Sequence, residues 1–220
     1  MPTTTGPLVW DEAIERKFET GVDHGILFPQ NPDGTYAAGI AWNGLTAVNE
    51  SPSGAEPNDL YADNMLYATL RSAEKYESTI EAYMYPPEFG ECDGTRQIAT
   101  GVSVGGQSRK PFGFAYRTKV GNAVSGMELG HKWHIVYGLT AKPSEKNRET
   151  VNEDPDAMTF SWEVTSTPVP MTGYQPVSHI EIDSTLADAE KWAALESKLI
   201  GTSSAASALP LPDEIKTIMS

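Results

Sequence analysis

The sequence predicts a mainly β fold, an antiparallel sandwich or barrel-like body with one flanking helix. Three observations lead there. Aromatic-rich segments, Ser78–Pro86 (STIEAYMYP), Lys132–Ala141 (KWHIVYGLTA) and Met158–Val164 (MTFSWEV), read as strands that alternate inward and outward residues. Clusters of Pro, Gly, Asn, Asp and Ser punctuate them as turns. One segment, Leu186–Ile200, carries apolar residues at convincing helical spacing. Three parts are expected: a flexible N-terminal arm over 1–9, a single β-rich domain over 10–201, and a C-terminal linker and tail over 202–220.

Taken in order, Met1–Pro7 is Thr/Pro/Gly-rich and reads as an arm. Trp10–Phe18 fits a helical turn or an extended stretch equally well. His24–Phe28 is a short apolar run, Asn31–Gly34 (NPDG) a turn, and Tyr36–Asn43 a first strand. Asn49–Asn58 (NESPSGAEPN) holds two prolines and a glycine and reads as a long loop. Asp63–Arg71 reads as a strand forming a hairpin with Ser78–Pro86. In the latter, Ile80, Ala82 and Met84 face one way and Thr79, Glu81, Tyr83 and Tyr85 the other.

Arg96–Val104 and Pro111–Lys119 read as a second strand pair joined by Gly105–Lys110, with Phe112, Phe114 and Tyr116 sharing a face. Val120–Gly130 is a glycine-spaced loop. Lys132–Ala141 places Trp133, Ile135, Tyr137 and Leu139 on one face. Lys142–Asp156 is a charged excursion. In Met158–Val164 the apolar face is Met158, Phe160, Trp162 and Val164. Pro168 and Pro170 end that strand, and His179–Asp183 is a short one. For the helix, Thr185–Asp188 resembles a capping box, and Gly201 sits where a C-cap glycine belongs. Its stripe is Leu186, Ala189, Trp192, Leu195 and Leu199. Thr202–Ala208 is a linker, and Leu209–Ile218 a proline-punctuated tail.

The 220 residues carry 16 Lys+Arg against 30 Asp+Glu, a formal net charge of -14. That balance disfavours binding nucleic acid through its phosphates, and it disfavours anionic membranes. Cys92 is the single cysteine, so no intrachain disulfide forms. The N-terminus has neither a basic nor an apolar signal region, and no apolar run reaches membrane-spanning length. A soluble protein folded in a cytoplasm is expected.

Candidate chemistry is sparse. His131 and His134 have a metal-compatible spacing, but they fall on a strand start where positions three apart point to opposite faces. No second cysteine or nearby histidine completes a ligand set, so no metal and no cofactor are expected. Cys92 lies among Glu88, Glu91 and Asp93, a field that opposes a thiolate. No G-x-S-x-G or P-loop is present, and Gly101–Gly106 lacks phosphate-binding spacing. The expectation is therefore not an enzyme. Trp133, Phe160 and Trp162 read as core. Tyr83 and Tyr85, on the polar face of their strand, read as interface residues. Arg109 and Lys110 form the densest basic spot, either a solvated hairpin tip or a contact to an acidic neighbour.

Five strings occur together in order: Tyr61–Asn64 (YADN), Ser78–Gly94 (STIEAYMYPPEFGECDG), Arg109–Thr118 (RKPFGFAYRT), His134–Lys146 (HIVYGLTAKPSEK) and Thr150–Val169 (TVNEDPDAMTFSWEVTSTPV). Together they resemble the major tail protein family of long-tailed bacteriophages and prophages, over roughly Trp10 to Leu211. None is a catalytic signature. The resemblance implies a tail tube subunit with a β-sandwich or barrel-like core, forming hexameric rings that stack into a hollow conduit for the genome. Its partners would be further copies of itself, with tape-measure, tail-completion and baseplate proteins. DNA would pass through the lumen without specific binding. The protein would reside in the virion tail after assembly in the host cytoplasm, without inserting into a membrane.

Under that reading Glu50, Ser51, Glu56, Asn58, Tyr83, Tyr85, Arg109 and Lys110 are subunit-interface candidates. Glu81, Glu163 and Glu181, on polar strand faces, are candidates for lumen charge. The arm, the Asn49–Asn58 loop, the 142–156 excursion and the Leu209–Ile218 tail would tie rings together, the arm and tail ordering on assembly. A β-sandwich module binding a glycan or protein is the alternative of a different class. A tube protein of a related injection system shares the leading reading's physics.

Overall fold

The computed structural model describes residues 10–54, 56–148, 150 and 156–220. The expected arm over 1–9 and part of the 142–156 excursion lie outside them. In chain order the body opens with β1 (Lys17–Pro29), β2 (Ile40–Trp42) and β3 (Leu45–Glu50). An arm follows, made of β4 (Ser53–Gly54), β5 (Pro57–Ala62), β6 (Met65–Arg71) and β7 (Glu74–Lys75). The chain returns through β8 (Glu77–Ala82) and a single turn of helix, α1 (Phe89–Cys92), to the small hairpin β9 (Arg96–Ala99) and β10 (Val102–Val104). Then come β11 (Phe112–Asn122), β12 (Gly126–Ala141), β13 (Phe160–Ser166) and β14 (His179–Asp183). Helices α2 (Ala189–Ile200) and α3 (Pro212–Met219) follow. The fold is mainly β, as expected.

Eight strands form one antiparallel sheet in the order β2-β1-β11-β12-β13-β8-β3, with β14 also paired to β12. The two outermost strands, β2 and β3, are consecutive in the chain and joined by Asn43–Gly44. Both send side chains to the same core, Trp42 from β2 and Leu45 and Val48 from β3, so the sheet curls round on itself. This bending brings its ends together and limits exposed edge.

The enclosed core is aromatic. Trp42, Phe89, Phe112, Phe114 and Trp162 are all buried there. Trp162 meets Trp42 and Phe89 at ring separations of 5.5 and 5.2 Å, both edge-to-face, the arrangement ring quadrupoles favour. A second core lies on the other face of β1, β11 and β12. Phe28, Trp133, Ile135 and Tyr137 pack there under Leu195 and Leu199 of α2 and Ile215 of α3. Strands covered on both faces explain the near-continuous apolar runs of β11 and β12.

The arm is one long hairpin growing out of the body. Glu50 pairs with Ser78, Ser53 with Lys75, Pro57 with Arg71, and Ala62 with Met65. Asp63 and Asn64 close it with φ of +52° and +59°, the two left-handed residues of a type I′ turn. Leu60, Tyr61, Met65, Leu66, Tyr67 and Leu70 are all exposed along it, Tyr67 at 75%. Among the described residues, β5 and β6 pair only with each other.

Several expectations are corrected. Of Asp63–Arg71, Met65–Arg71 is strand after a turn at Asp63–Asn64, but its partner is β5; Ser78–Pro86 instead supplies β8, which lies between β3 and β13. Most of the Asn49–Asn58 loop is extended and paired, because its prolines and glycine sit where ladder donors are dispensable or where φ is positive (Gly54, +89°). Trp10–Phe18 runs into β1, a long strand that its mixed composition concealed. Tyr36–Asn43 contributes only Ile40–Trp42. Arg96–Val104 folds back on itself at Gly101 (φ +76°) rather than pairing with β11. Val120–Gly130 is mostly strand; Asn122 Oδ1 accepts from the Val124 and Ser125 amides and turns the chain tightly.

Leu139 does not share a face with Trp133, Ile135 and Tyr137. A bulge at Gly138 (φ +57°) shifts the alternation by one, so Leu139 enters the aromatic core. The helix starts at Ala189 with Asp188 as N-cap, its side chain accepting from the Glu190 and Lys191 amides. Leu186 is left 80% exposed. Gly201 ends the helix as expected. The 209–218 tail does not wait for assembly to order: it forms α3, with Leu209 and Ile215 buried in the second core. No helix among the described residues is long and apolar enough to cross a membrane.

The bulge yields a test. A Cβ at residue 138 would stand 2.3 Å from the Thr167 carbonyl oxygen, at a φ that side chains disfavour. Gly138→Ala is expected to destabilise the fold by more than ~1 kcal/mol in urea unfolding, whereas Gly101→Ala, with open space around it, loses only about 1 kcal/mol through its φ.

Candidate functional site

The densest polar constellation sits at the root of the arm. Residue alternation along β12 turns His134 toward the aromatic core side, opposite Trp133 and Ile135. Register pairs it with Tyr116 of β11, and the two rings stack at 4.6 Å and 5°. On the other edge of β12, His179 opens β14 and brings its Nε2 to 3.3 Å from His134 Nδ1. Glu50, the last residue of β3, places Oε1 3.7 Å from His179 Nε2. The same oxygen accepts from the Tyr116 and Tyr76 hydroxyls at 2.7 and 3.0 Å.

Ligand atoms of Glu50, His134 and His179 all lie within 4.8 Å of one another. This corrects the expectation that no histidine completes a set around His134. The residue needed is 45 positions away and is brought in by strand pairing. His131, the sequence neighbour, lies elsewhere, on the face with Arg117 and Glu196, where burial and Arg117 lower its pKa.

A second layer supports His134. Its Nε2 lies 3.1 Å from Glu19 Oε1. Glu19 also accepts from Thr118 Oγ1 at 2.6 Å and pairs with Lys132 at 2.8 Å. Lys132 bridges on to Glu181 at 2.7 Å. Burial pushes the Glu19 carboxyl up, but hydrogen bonds from Lys132 and Thr118 and the Lys132 charge outweigh it and hold the carboxyl below its usual value. Glu181 and Glu19 in turn raise the Lys132 ammonium. Burial lowers the His179 pKa, against the opposing pull of Glu50.

A separate charged cluster seats α2 on the sheet. Arg117 donates from Nε and Nη2 to the two carboxylate oxygens of Asp23 at 2.9 and 3.2 Å. It also reaches Glu196 of α2 at 3.5 Å and lies over the Trp133 ring. His24 Nδ1 is 2.9 Å from Asp23. A cleft of about 490 Å³ opens beside this cluster, lined by Val22, Asp23, His24, Trp42 and Ile200 among others. Cys92 is buried, and burial pushes its thiol up to about 12, a larger effect than the neighbouring acids.

The interface candidates fall into different surroundings. Glu50 belongs to the histidine cluster. Ser51 continues the arm's pairing through its amide to the Glu77 carbonyl. Glu56 and Asn58 are exposed on the arm. Tyr83 is exposed, but Tyr85 packs edge-on against Phe160 and Trp162 with Lys146 over its ring. Lys146 also pairs with the buried Asp93, so the start of the 142–156 excursion is tied to the body. Arg109 and Lys110 do not cap a strand hairpin. Both are half-buried, and Lys110 pairs with the exposed Glu91 at 3.4 Å. Of the acids, Glu81 and Glu163 lie on the outer face of the β8/β13 pair. Glu181 lies on the opposite sheet face, across from His134.

The Asp23 carboxyl carries a pH signature. Burial raises its pKa, but Arg117 and His24 outweigh this and hold it below the ordinary 3.8. The stabilisation is therefore present above that ordinary value and is lost as pH falls through the lowered one. Asp23→Asn is expected to cost about 1–2 kcal/mol near neutral pH, since the pair is partly solvated, and to flatten the acid limb of a stability-versus-pH curve. Denaturant melts across that range check it.

No protein-family model matches this chain, and no curated protein matches it.

Proposed function

We propose that the protein is a structural tail tube subunit, assembling with copies of itself into stacked rings that form a hollow conduit. The observation that carries the reading is the arm. A solitary two-stranded ribbon is marginal in water, and this one exposes six large apolar side chains. Such a surface is stabilised when another molecule covers it. A neighbouring ring supplies that cover without any further component. The resemblance of the five strings to the major tail protein family supports the same assignment. The curled, mainly β body is of the kind the resemblance implies.

The acidic balance suits a conduit for DNA, because acids facing the lumen repel phosphate and prevent adhesion. In this proposal Glu81 and Glu163 share one exposed face, and Glu181 serves elsewhere, already paired with Lys132. Glu163 is 3.6 Å from Lys142, which offsets part of its charge. Tape-measure, tail-completion and baseplate proteins complete the assembly, and the virion tail is its place.

Electron microscopy of the purified protein over a concentration series tests the reading. Rings or tubes are expected from the natural chain. Leu66→Glu with Tyr67→Glu should leave the fold intact, within about 0.5 kcal/mol, because both side chains are solvent-facing. The same variant should abolish tubes. Tubes of normal length from it would remove the arm from the mechanism. A natural chain that never leaves the monomer, even when seeded with preformed tail fragments, would overturn the proposal.

A further inference from the structure

We propose that Glu50, His134 and His179 form a binding site for a divalent transition-metal ion, with Zn²⁺ the best fit. Zn²⁺ takes imidazole nitrogens and carboxylate oxygens at about 2.0–2.2 Å, which sets tetrahedral neighbours about 3.3–3.5 Å apart. Here His134 Nδ1 and His179 Nε2 are 3.3 Å apart, and His179 Nε2 and Glu50 Oε1 3.7 Å. The histidine planes differ by 6° while their centres stand 5.4 Å apart. The facing nitrogens are closer than the centres by nearly both ring radii, so the rings meet edge to edge with these two nitrogens turned toward each other across the site.

The surroundings are those of a ligand set. Glu19 lies 3.1 Å from His134 Nε2 and is acceptor-only as a carboxylate, so Nε2 carries the proton and Nδ1 presents its lone pair to the site. A carboxylate behind a ligating histidine fixes both tautomer and ring direction. Glu19 is itself held by Lys132 and Thr118. The Tyr76 and Tyr116 hydroxyls donate to Glu50 and aim it, while their rings lie against His179 and His134. Glu50 leaves the cluster open to solvent on one side, giving a water or an exogenous ligand the fourth position. Without an ion, the same tautomer has His179 Nε2–H donating to His134 Nδ1.

The ion would join β3, β12 and β14, three segments far apart in the chain, at the point where the arm leaves the body. Its binding would therefore set the arm's root. This inference does not depend on the tail tube reading and fails or stands separately.

Chelator-stripped full-length protein titrated with Co²⁺ gives the direct test. The expected result is saturable visible absorption of four-coordinate Co²⁺ at one ion per chain, displaced by Zn²⁺. His179→Ala and Glu50→Gln change partly exposed residues and should keep the fold by circular dichroism while weakening binding at least about tenfold. Glu19→Gln should weaken it about 10- to 100-fold through the supporting layer. His131→Ala should leave it unchanged. Zn²⁺ should raise the melting temperature of the natural chain but not of His179→Ala. No saturable Co²⁺ spectrum, or binding undiminished in His179→Ala, would overturn the site.

Discussion

Strand β12 has to satisfy two partners along one edge, and the bulge at Gly138 is what permits it. Before the bulge, that edge pairs with β14; after it, with β13. At the changeover the Tyr137 amide donates to Ser178 and the Thr167 amide to the Gly138 carbonyl, so no ladder group there is orphaned. The Tyr36 hydroxyl accepts from the Gly138 amide at 2.9 Å and closes the account. One residue in a left-handed conformation thereby lets a single strand serve a curled sheet on one side and a helix-covered layer on the other. Leu139 and Ala141 would point into the wrong core without it.

The same geometry explains why a polar cluster tolerates a position beside an aromatic core. Tyr116 and His134 continue the ring packing that starts at Phe114, each presenting a flat face to its neighbour, and His179 meets His134 edge to edge. Their polar edges are turned toward Glu50 and Glu19, whose carboxylates accept from the Tyr116 hydroxyl and lie against His134 Nε2. A buried network of this kind is costly when partly satisfied. Here contacts run without a break from Tyr76 through Glu50 and the histidines to Glu19, Lys132 and Glu181.

The alternation of Ile80/Ala82, Phe112/Phe114/Tyr116 and Trp162/Val164 was legible in the sequence, because one face of each strand is apolar and period two is a local signal. What failed was pairing. The strand expected over Asp63–Arg71 forms from Met65 on, yet its partner precedes it across the Asp63–Asn64 turn rather than following it. Leu139 escaped because a bulge is set by tertiary demands, with only Gly138 as a trace. The histidine cluster was invisible for the same reason. Glu50, His134 and His179 have no informative spacing, and only the registers of β3, β12 and β14 bring them together. The α3 tail was misread through its prolines, although Pro212 at a first helical turn and apolar Ile215 and Ile218 were signals in hand.

The arm also has a topological consequence. Its two roots, β3 and β8, hydrogen-bond to each other, and β8 is locked to β13. The tip at Asp63–Asn64 is therefore a point where the covalent chain contributes nothing to holding the body together. A chain cut there would keep both halves in place, and one lengthened there by a foreign segment would fold around the same two cores. The turn can change in length without altering how the curled sheet and its two cores pack.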